Sequence, residues 1–529
     1  MIKKYFVLSV LFFIVFSMTL TALDVKFYLA PNGGFSPFNN QRTITLKDGK
    51  VIPALLNNGV YDLVQRTPNG GVIKIVMYNF DYKLVYDEVI KRALNDNVQV
   101  KVILDNAAGW TGANVKKFLD GVKVAENKAR IEGKSIDFQV KVCTKKSFEV
   151  FRRSYKLNTG KMIFGTMHEK FGVFYDDRSD VPVHSFIGSS NISKSSDDTF
   201  AENRMFFIDA PVMSRVFANQ FARLWNYYTV ARAGVITPER IYPISRKPVF
   251  EAVFNMEHSK SLLDYEYKKI DERILKLLDT VKKNGSVDLA MFSFTHRRIA
   301  DKIIELARKY PRAKFRLLFD HSMIEAGPER IGLMAPVLEK KIKEYKLENV
   351  EIRYKFRCNA YGWNKETKKI ELDHFRSPIL HHKVIIINKN AMIFGSYNYS
   401  GSAEVRNTEN IVIVKTDNHF GKDVIKRFLL EYDYLWNRRF EDETCYKPYV
   451  VDGPLGREMQ TLICETLTDF GASKVRYLLD RYGPKTLQQL IKSSKMTRAK
   501  VIIALGKLRN AKLTKSYKYN KKRYYALFD

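Results

Sequence analysis

Two histidines and two lysines recur in this chain at the same spacing. His168 and Lys170 stand two apart in MHEKFGVFYDD, and His381 and Lys383 stand two apart in LHHKVIIINKN. Each pair is followed by a second apolar run that ends in Gly-Ser-x-Asn, first at Gly188, Ser189 and Asn191, then at Gly395, Ser396 and Asn398. A single His-x-Lys carries little weight, since nine histidines in a lysine-rich chain give about one by chance. Two copies with the same sequel are another matter. A pair of imidazoles can split a phosphodiester in two steps, one attacking phosphorus while the other protonates the leaving oxygen. The serines and asparagines can hydrogen-bond phosphate oxygens, and a glycine permits a tight turn and close backbone approach. Taken singly, Ser189 and Asn191 would suit an ordinary turn equally well.

These residues must be positioned by a framework, and the framework repeats. Val72–Phe80 reads as a strand, followed by a helical pattern through Ala93 and a strand over Val100–Leu104 that ends at Asp105. Val287–Phe294, Ile299–Ala307 and Phe315–Phe319 repeat strand, helix and strand, ending at Asp320. Equivalent residues are offset by 213 to 215 positions, and each half closes on a helix carrying a tryptophan, Trp225 and Trp436. Such collinearity predicts a duplicated α/β unit with mixed or parallel sheets and covering helices. On a strand, side chains two apart share a face, so each histidine projects together with its lysine.

At these motifs the chain resembles the phospholipase D superfamily, whose signature is HxKxxxxD followed by GSxN or GSxxN. The resemblance covers roughly residues 70–440. It implies two phospholipase D-like α/β sandwich halves packed around one active site, within which a monomer suffices. It also implies catalysis without metal or cofactor, through a covalent phosphohistidine. His168 and His381 become the catalytic pair, with His168 attacking and His381 donating. Lys170, Lys383, Asn191 and Asn398 would hold phosphoryl oxygens, with Ser189 and Ser396 in support. Glu202 and Glu409 fall where the family places an acidic residue behind a histidine. Two positions depart from the signature. Tyr175 stands where the first aspartate is expected, with Asp176 one residue later, so that a bulge would be needed to restore it. Asn388 replaces the second aspartate.

The length of 529 residues implies two to four domains, and the boundaries read as 23–245, 246–440, a linker over 441–456 and a last unit over 457–529. Residues 1–22 read as a signal peptide or N-terminal anchor, with Lys3 and Lys4 ahead of an apolar run over residues 5–20. This predicts an exported or membrane-anchored protein. Cys143, Cys358, Cys445 and Cys464 show no metal-binding spacing and are candidates for disulfides or plain buried thiols. The tail alternates helix, turn and helix before a basic hairpin, and resembles a winged helix-turn-helix module of α+β type. In that reading Thr497, Arg498, Lys500 and Lys507 lie on or near a recognition helix. Lys518, Lys521, Lys522 and Arg523 form a wing that would meet phosphates.

A net charge of +32 would attract polyanions such as nucleic acid or an anionic membrane. Charge and tail together favour a nuclease acting on DNA. A phospholipase D acting on phosphatidyl lipids, or transferring their phosphatidyl group, would use the same histidines. A non-catalytic DNA-binding or tethering protein is the reading that the intact histidine and lysine pairs count against.

Overall fold

The computed structural model describes residues 24–30, 36–105, 109–143, 155–156, 162–163, 165–179, 181–198, 200–226, 239–241, 250–255, 269–323, 332–356, 361–364, 369–372, 379–437, 449–452, 466, 469–511, 513–519 and 522–527. The expected leader, Cys358, Cys445, Cys464, Lys521 and nearly all of a helix expected over 457–467 lie outside these residues. Among the described residues no helix is long and apolar enough to cross a membrane.

Two sheets carry the duplication. In the first, Val72–Met77 is flanked by Gln99–Asp105 in parallel and Phe171–Tyr175 in antiparallel. The sheet continues through Phe138–Cys143 on one side and through His184–Gly188, Glu202–Ile208 and Asp24–Ala30 on the other. The second sheet repeats this around Ser286–Met291, with Lys314–Asp320 parallel and Lys383–Ile387 antiparallel to it. Val350–Phe356 extends one side, and Ala391–Gly395, Asn410–Lys415 and Phe250–Phe254 the other. The central strands are apolar on both faces because both faces are covered.

That covering fixes the layers. Helices Leu56–Arg66, Lys83–Asn95 and Gly109–Ile131 belong to the first half's outer layer, and Leu63, Val89 and Phe118 pack with Ile73, Ile75 and Val100 in one core. Ile274, Ile303 and Leu338, from Lys269–Leu278, Arg297–Lys309 and Met334–Tyr345, do the same with Leu289 and Leu317 of the second sheet. Between the sheets lies a core that the halves share, in which Phe27, Val173 and Phe207 meet Phe250, Val384 and Phe394. Phe207 stacks on Phe250 at 4.9 Å between centroids. Helices Pro211–Asn226 and His419–Asn437, which carry Trp225 and Trp436, contribute to the same core.

Three boundaries differ from the sequence reading. Glu239–Ile241, assigned to the first half, pairs with Phe250–Phe254 at the edge of the second sheet. Tyr449–Asp452, assigned to the linker, pairs with Arg353–Phe356 at the opposite edge. Edge strands are recruited by open backbone donors and acceptors, which local composition does not announce. The third difference is at Tyr175. The Phe171–Tyr175 ladder to Val72–Val76 is regular, so no bulge restores the signature aspartate, and Asp176 is exposed beyond the strand end. Tyr175 accepts a hydrogen bond from Lys74 Nζ at 2.9 Å. Asn388 lies at the end of its strand remote from Lys383, where its Oδ1 accepts from Ser286 N at 3.2 Å and its Nδ2 donates to Thr280 O at 3.1 Å.

The tail folds as helix Phe470–Tyr482, strand Lys485–Thr486, helices Leu487–Ser494 and Arg498–Asn510, and strands Thr514–Tyr519 and Lys522–Leu527. Its three-stranded sheet places Lys522–Leu527 in the middle.

The halves also join through backbone. Thr408 N donates to Thr166 O at 2.9 Å and His168 N to Thr408 O at 3.0 Å, and Ala201 N donates to Ile379 O and His381 N to Ala201 O at 2.8 and 2.9 Å. Beside the first seam, a Cβ added to Gly165 would collide with the Arg406 carbonyl. Gly165→Ala should therefore cost about 1–3 kcal/mol of stability. Thermal unfolding of the full chain checks this, and an unchanged midpoint would show that the seam yields freely.

Candidate active site

Each histidine stands just ahead of a strand that begins with, or one residue after, its lysine, and the residue before it is pinned. Met167 N donates to Asp105 Oδ2 at 2.7 Å, and Leu380 N donates to Asp320 Oδ2 at 3.0 Å. The two aspartates that end equivalent parallel strands thus fix the backbone from which both imidazoles project. Each lysine turns back on its own motif. Lys170 Nζ donates to His168 O at 2.7 Å and Lys383 Nζ to His381 O at 2.8 Å. Both lysines are buried. Burial pulls the Lys170 ammonium down to about 8 and the Lys383 ammonium well below its ordinary range.

The carboxylates cross between halves. His168 Nδ1 lies 2.9 Å from Glu409 Oε2, and His381 Nδ1 bonds Glu202 Oε1. The sequence brackets each histidine with the glutamate of its own half, and the seams exchange them. Where the glutamate is ionised it only accepts, so the imidazole carries its proton on Nδ1 and leaves Nε2 to react. Burial lowers both imidazoles from their ordinary value, His381 furthest, with Lys383 and Lys170 adding to the effect. Burial also raises Glu202 to about 7.

The Gly-Ser-x-Asn turns close the site. A Cβ at Gly188 or Gly395 would collide with the carbonyl of Asn203 or Asn410, and Gly395 has a φ of +153°. Ser189 Oγ accepts from Asn203 N at 3.1 Å, whereas Ser396 Oγ donates to Glu409 Oε2 at 2.6 Å. Asn191 Oδ1 accepts from Asn79 N at 3.2 Å, which leaves its amide N–H groups to donate. Asn398 Oδ1 is buried without a hydrogen-bond partner among the described residues. Tyr78 and Phe292 occupy equivalent places edge-on to His168 and His381, at 5.1 and 5.0 Å. The expected residues therefore converge on one buried site in which both Nδ1 atoms are committed to glutamates and each Nε2 is left to react, an arrangement suited to bind a phosphodiester and exchange its ester oxygen.

A family model described as cardiolipin synthase, PLD-like domain, matches residues 71–225 and 275–436. The chain belongs to this phospholipase D-like family. It is 39% identical over 62 residues to phospholipase D of Rickettsia conorii (strain ATCC VR-613 / Malish 7), covering 12% of this chain and 30% of that protein. It is 44% identical over 48 residues to phospholipase D of Rickettsia bellii (strain RML369-C), covering 9% and 24%. The chain thus spans less than a third of the length of these curated relatives. The solved structure of phosphatidylserine synthase from Haemophilus influenzae Rd KW20 aligns over 84% of this chain and 92% of that one, with 11% identity and a TM-score of 0.45.

Sequence reasoning missed residues behind the phospholipase D-like motifs. Arg204 is fully buried. Its Nη2 donates to the carbonyls of Ser190 and Asn191 at 3.0 and 2.9 Å, and its Nη1 to Leu56 O and Asn57 Oδ1 at 2.9 and 3.1 Å. It clamps the first Gly-Ser-x-Asn turn, while its counterpart in the second half is Ile411. No spacing rule flags such an arginine, which follows Glu202 and Asn203 at the polar start of its strand. The residue between histidine and lysine is also buried in both motifs. Glu169 accepts from Gln220 Nε2 at 2.9 Å, and His382 Nδ1 lies 3.0 Å from Asn203 Nδ2. His382 Nε2 lies 3.4 Å from Glu431 Oε1, and Ser36 Oγ donates to Glu431 Oε2 at 2.7 Å.

The tail residues lie apart from this site. Thr497 is the N-cap of its helix, with its Oγ accepting from Lys500 N at 3.4 Å. Lys507 lies on the helix Arg498–Asn510, as expected, and is paired with the Asp469 carboxylate. Arg498, Lys500, Lys518, Lys522 and Arg523 are exposed.

Burial raises both Glu169 and Glu431 to about 8. Their folded values lie above those of the unfolded chain, so the stability they contribute is complete below about pH 4 and is lost as pH rises toward 8. These two carboxyls pull stability down between pH 5 and pH 8, against the buried imidazoles, whose lowered values act in the opposite sense, so Glu169→Gln should make stability at pH 8 relative to pH 5 higher than in the wild type. Melting temperatures at the two pH values check this, and an unaltered slope would mean that Glu169 is ionised throughout.

Proposed function

We propose that this phospholipase D-like phosphodiesterase works through a phosphohistidine and that its substrate is a phosphatidyl lipid. The observation that carries the mechanism is the crossed pairing, because it sets two buried imidazoles beside two buried lysines in one pocket. The lysines and the asparagine amides would neutralise the phosphoryl oxygens as charge shifts, and water would resolve the adduct. The lipid reading draws on the family description and on the relatives' names. An exported or anchored location, as residues 1–22 suggest, would put lipid within reach.

This order reverses the one that charge and tail suggested, where DNA came first. Nucleic acid remains the second reading on a specific observation. Arg498, Lys500, Lys518, Lys522 and Arg523 are exposed on one helix and hairpin beside exposed Tyr517 and Tyr519. Cations interleaved with aromatic rings suit a phosphate backbone and its bases.

Purified full chain in EDTA should release headgroup from phosphatidyl vesicles and leave plasmid DNA intact. His168→Ala and His381→Ala should each lower turnover by at least about 10³-fold without unfolding. DNA cleavage with intact lipid would replace the first reading by the second. Near wild-type rates in either histidine variant would overturn the paired mechanism for both.

A further inference from the structure

We infer that His381 is the nucleophile and His168 the general acid, the reverse of the order that the family resemblance implies. This rests on the phosphohistidine reading above. The two carboxylates occupy equivalent positions, but their surroundings differ. Glu409 Oε2 accepts from Ser396 Oγ as well as facing His168, and Glu409 Oε1 accepts from Asn407 Nδ2 at 3.0 Å. Three hydrogen-bond partners therefore converge on this buried carboxylate. Glu409 pulls the His168 imidazole up against its burial, so of the two rings His168 is the better placed to hold the proton that a general acid gives.

Glu202 lacks that set. Phe200 stands where the other half has Asn407, and its ring lies 5.7 Å from the His381 ring. Ser189 stands where the other half has Ser396; both hydroxyls accept from a backbone N–H, of Asn203 at 3.1 Å and of Asn410 at 2.9 Å, and of the two, among the described residues, Ser396 alone also donates to its glutamate. Glu202 Oε2 is buried without a hydrogen-bond partner among the described residues, although the nearby Ser196 hydroxyl favours its charged form in part. His381 also faces Lys383, Lys170 and His168, with Asp320 as the opposing charge. A weakly supported carboxylate and two cations keep its imidazole neutral, with the Nε2 lone pair available. His168 faces the same two lysines, but against the donor-fed Glu409.

The exchange then runs as follows. His381 Nε2 forms a bond to phosphorus as the ester P–O bond breaks, and the leaving oxygen keeps that electron pair and takes the proton from His168 Nε2. Neutral His168 next accepts a proton from water as its oxygen attacks phosphorus. The N–P bond breaks, and its electron pair returns to His381.

The test uses bis(4-nitrophenyl) phosphate, whose leaving group departs without needing a proton. The full chain and its His168→Asn and His381→Asn variants are mixed with it, quenched in alkali and mapped by mass spectrometry. His168→Asn should release one equivalent of nitrophenolate per chain, within about 10-fold of the wild-type first turnover, and should stall with a 4-nitrophenyl phosphoryl group on His381. His381→Asn should give no burst and no adduct, a loss of at least about 10³-fold. Glu202→Gln and Glu409→Gln, milder changes at the same sites, should leave the adduct on His381. An adduct on His168 in any variant would overturn the assignment while leaving the phosphohistidine intact. No adduct in wild type or His168→Asn would overturn both.

Discussion

The site depends on two hydrogen bonds that cross between halves, His168 to Glu409 and His381 to Glu202. Each half supplies a nucleophile-grade imidazole and the carboxylate that orients the other half's imidazole. Neither His168 nor His381 is bonded to the glutamate of its own half, Glu202 or Glu409 respectively. The seams at Thr166–Thr408 and Ile379–Ala201 set the register of the crossing, and Asp105 and Asp320 fix the backbone just before each histidine. The shared core between the sheets, with Phe207 on Phe250, holds that register against slippage. Duplication followed by face-to-face packing is therefore how the chemistry is assembled.

Burying two lysines, two imidazoles and two glutamates in one pocket is costly unless the charges answer each other. The lysines spend hydrogen bonds on the backbone of their own motifs, and the glutamates answer the histidines. A bound phosphodiester would add an anion to the carboxylates, Glu202 and Glu409, that already face both lysines. The dry surroundings that depress the lysines would then strengthen every contact to it. The near-symmetry is broken at a few points: Asn407 against Phe200, Arg204 against Ile411, and Glu169 with Gln220 against His382 with Glu431. Two identical imidazoles could share one proton between them, and these differences bias which of the two holds it.

Much of this was legible in the chain. The repeated motifs and matching offsets predicted the two α/β halves and the residues that meet in the pocket, because strand periodicity is local. The crossing was not legible, because each glutamate lies closer in sequence to the histidine of its own half. Arg204 and the buried residue of each motif follow from tertiary packing. The edge strands Glu239–Ile241 and Tyr449–Asp452 escaped for the same reason, being recruited by a sheet assembled from distant segments. The regular ladder at Tyr175 shows that a departure from the signature can be absorbed by substitution without a bulge.

The most direct test of the crossed arrangement is a titration of ¹⁵N-labelled histidines in the full chain, with Glu202→Gln and Glu409→Gln beside the wild type. The account predicts that Glu409→Gln lowers the pKa of His168 and shifts its Nδ1 resonance while His381 stays in place, and that Glu202→Gln perturbs His381 alone. Perturbation of His381 by Glu409→Gln and of His168 by Glu202→Gln would place each carboxylate with its own half and contradict the account.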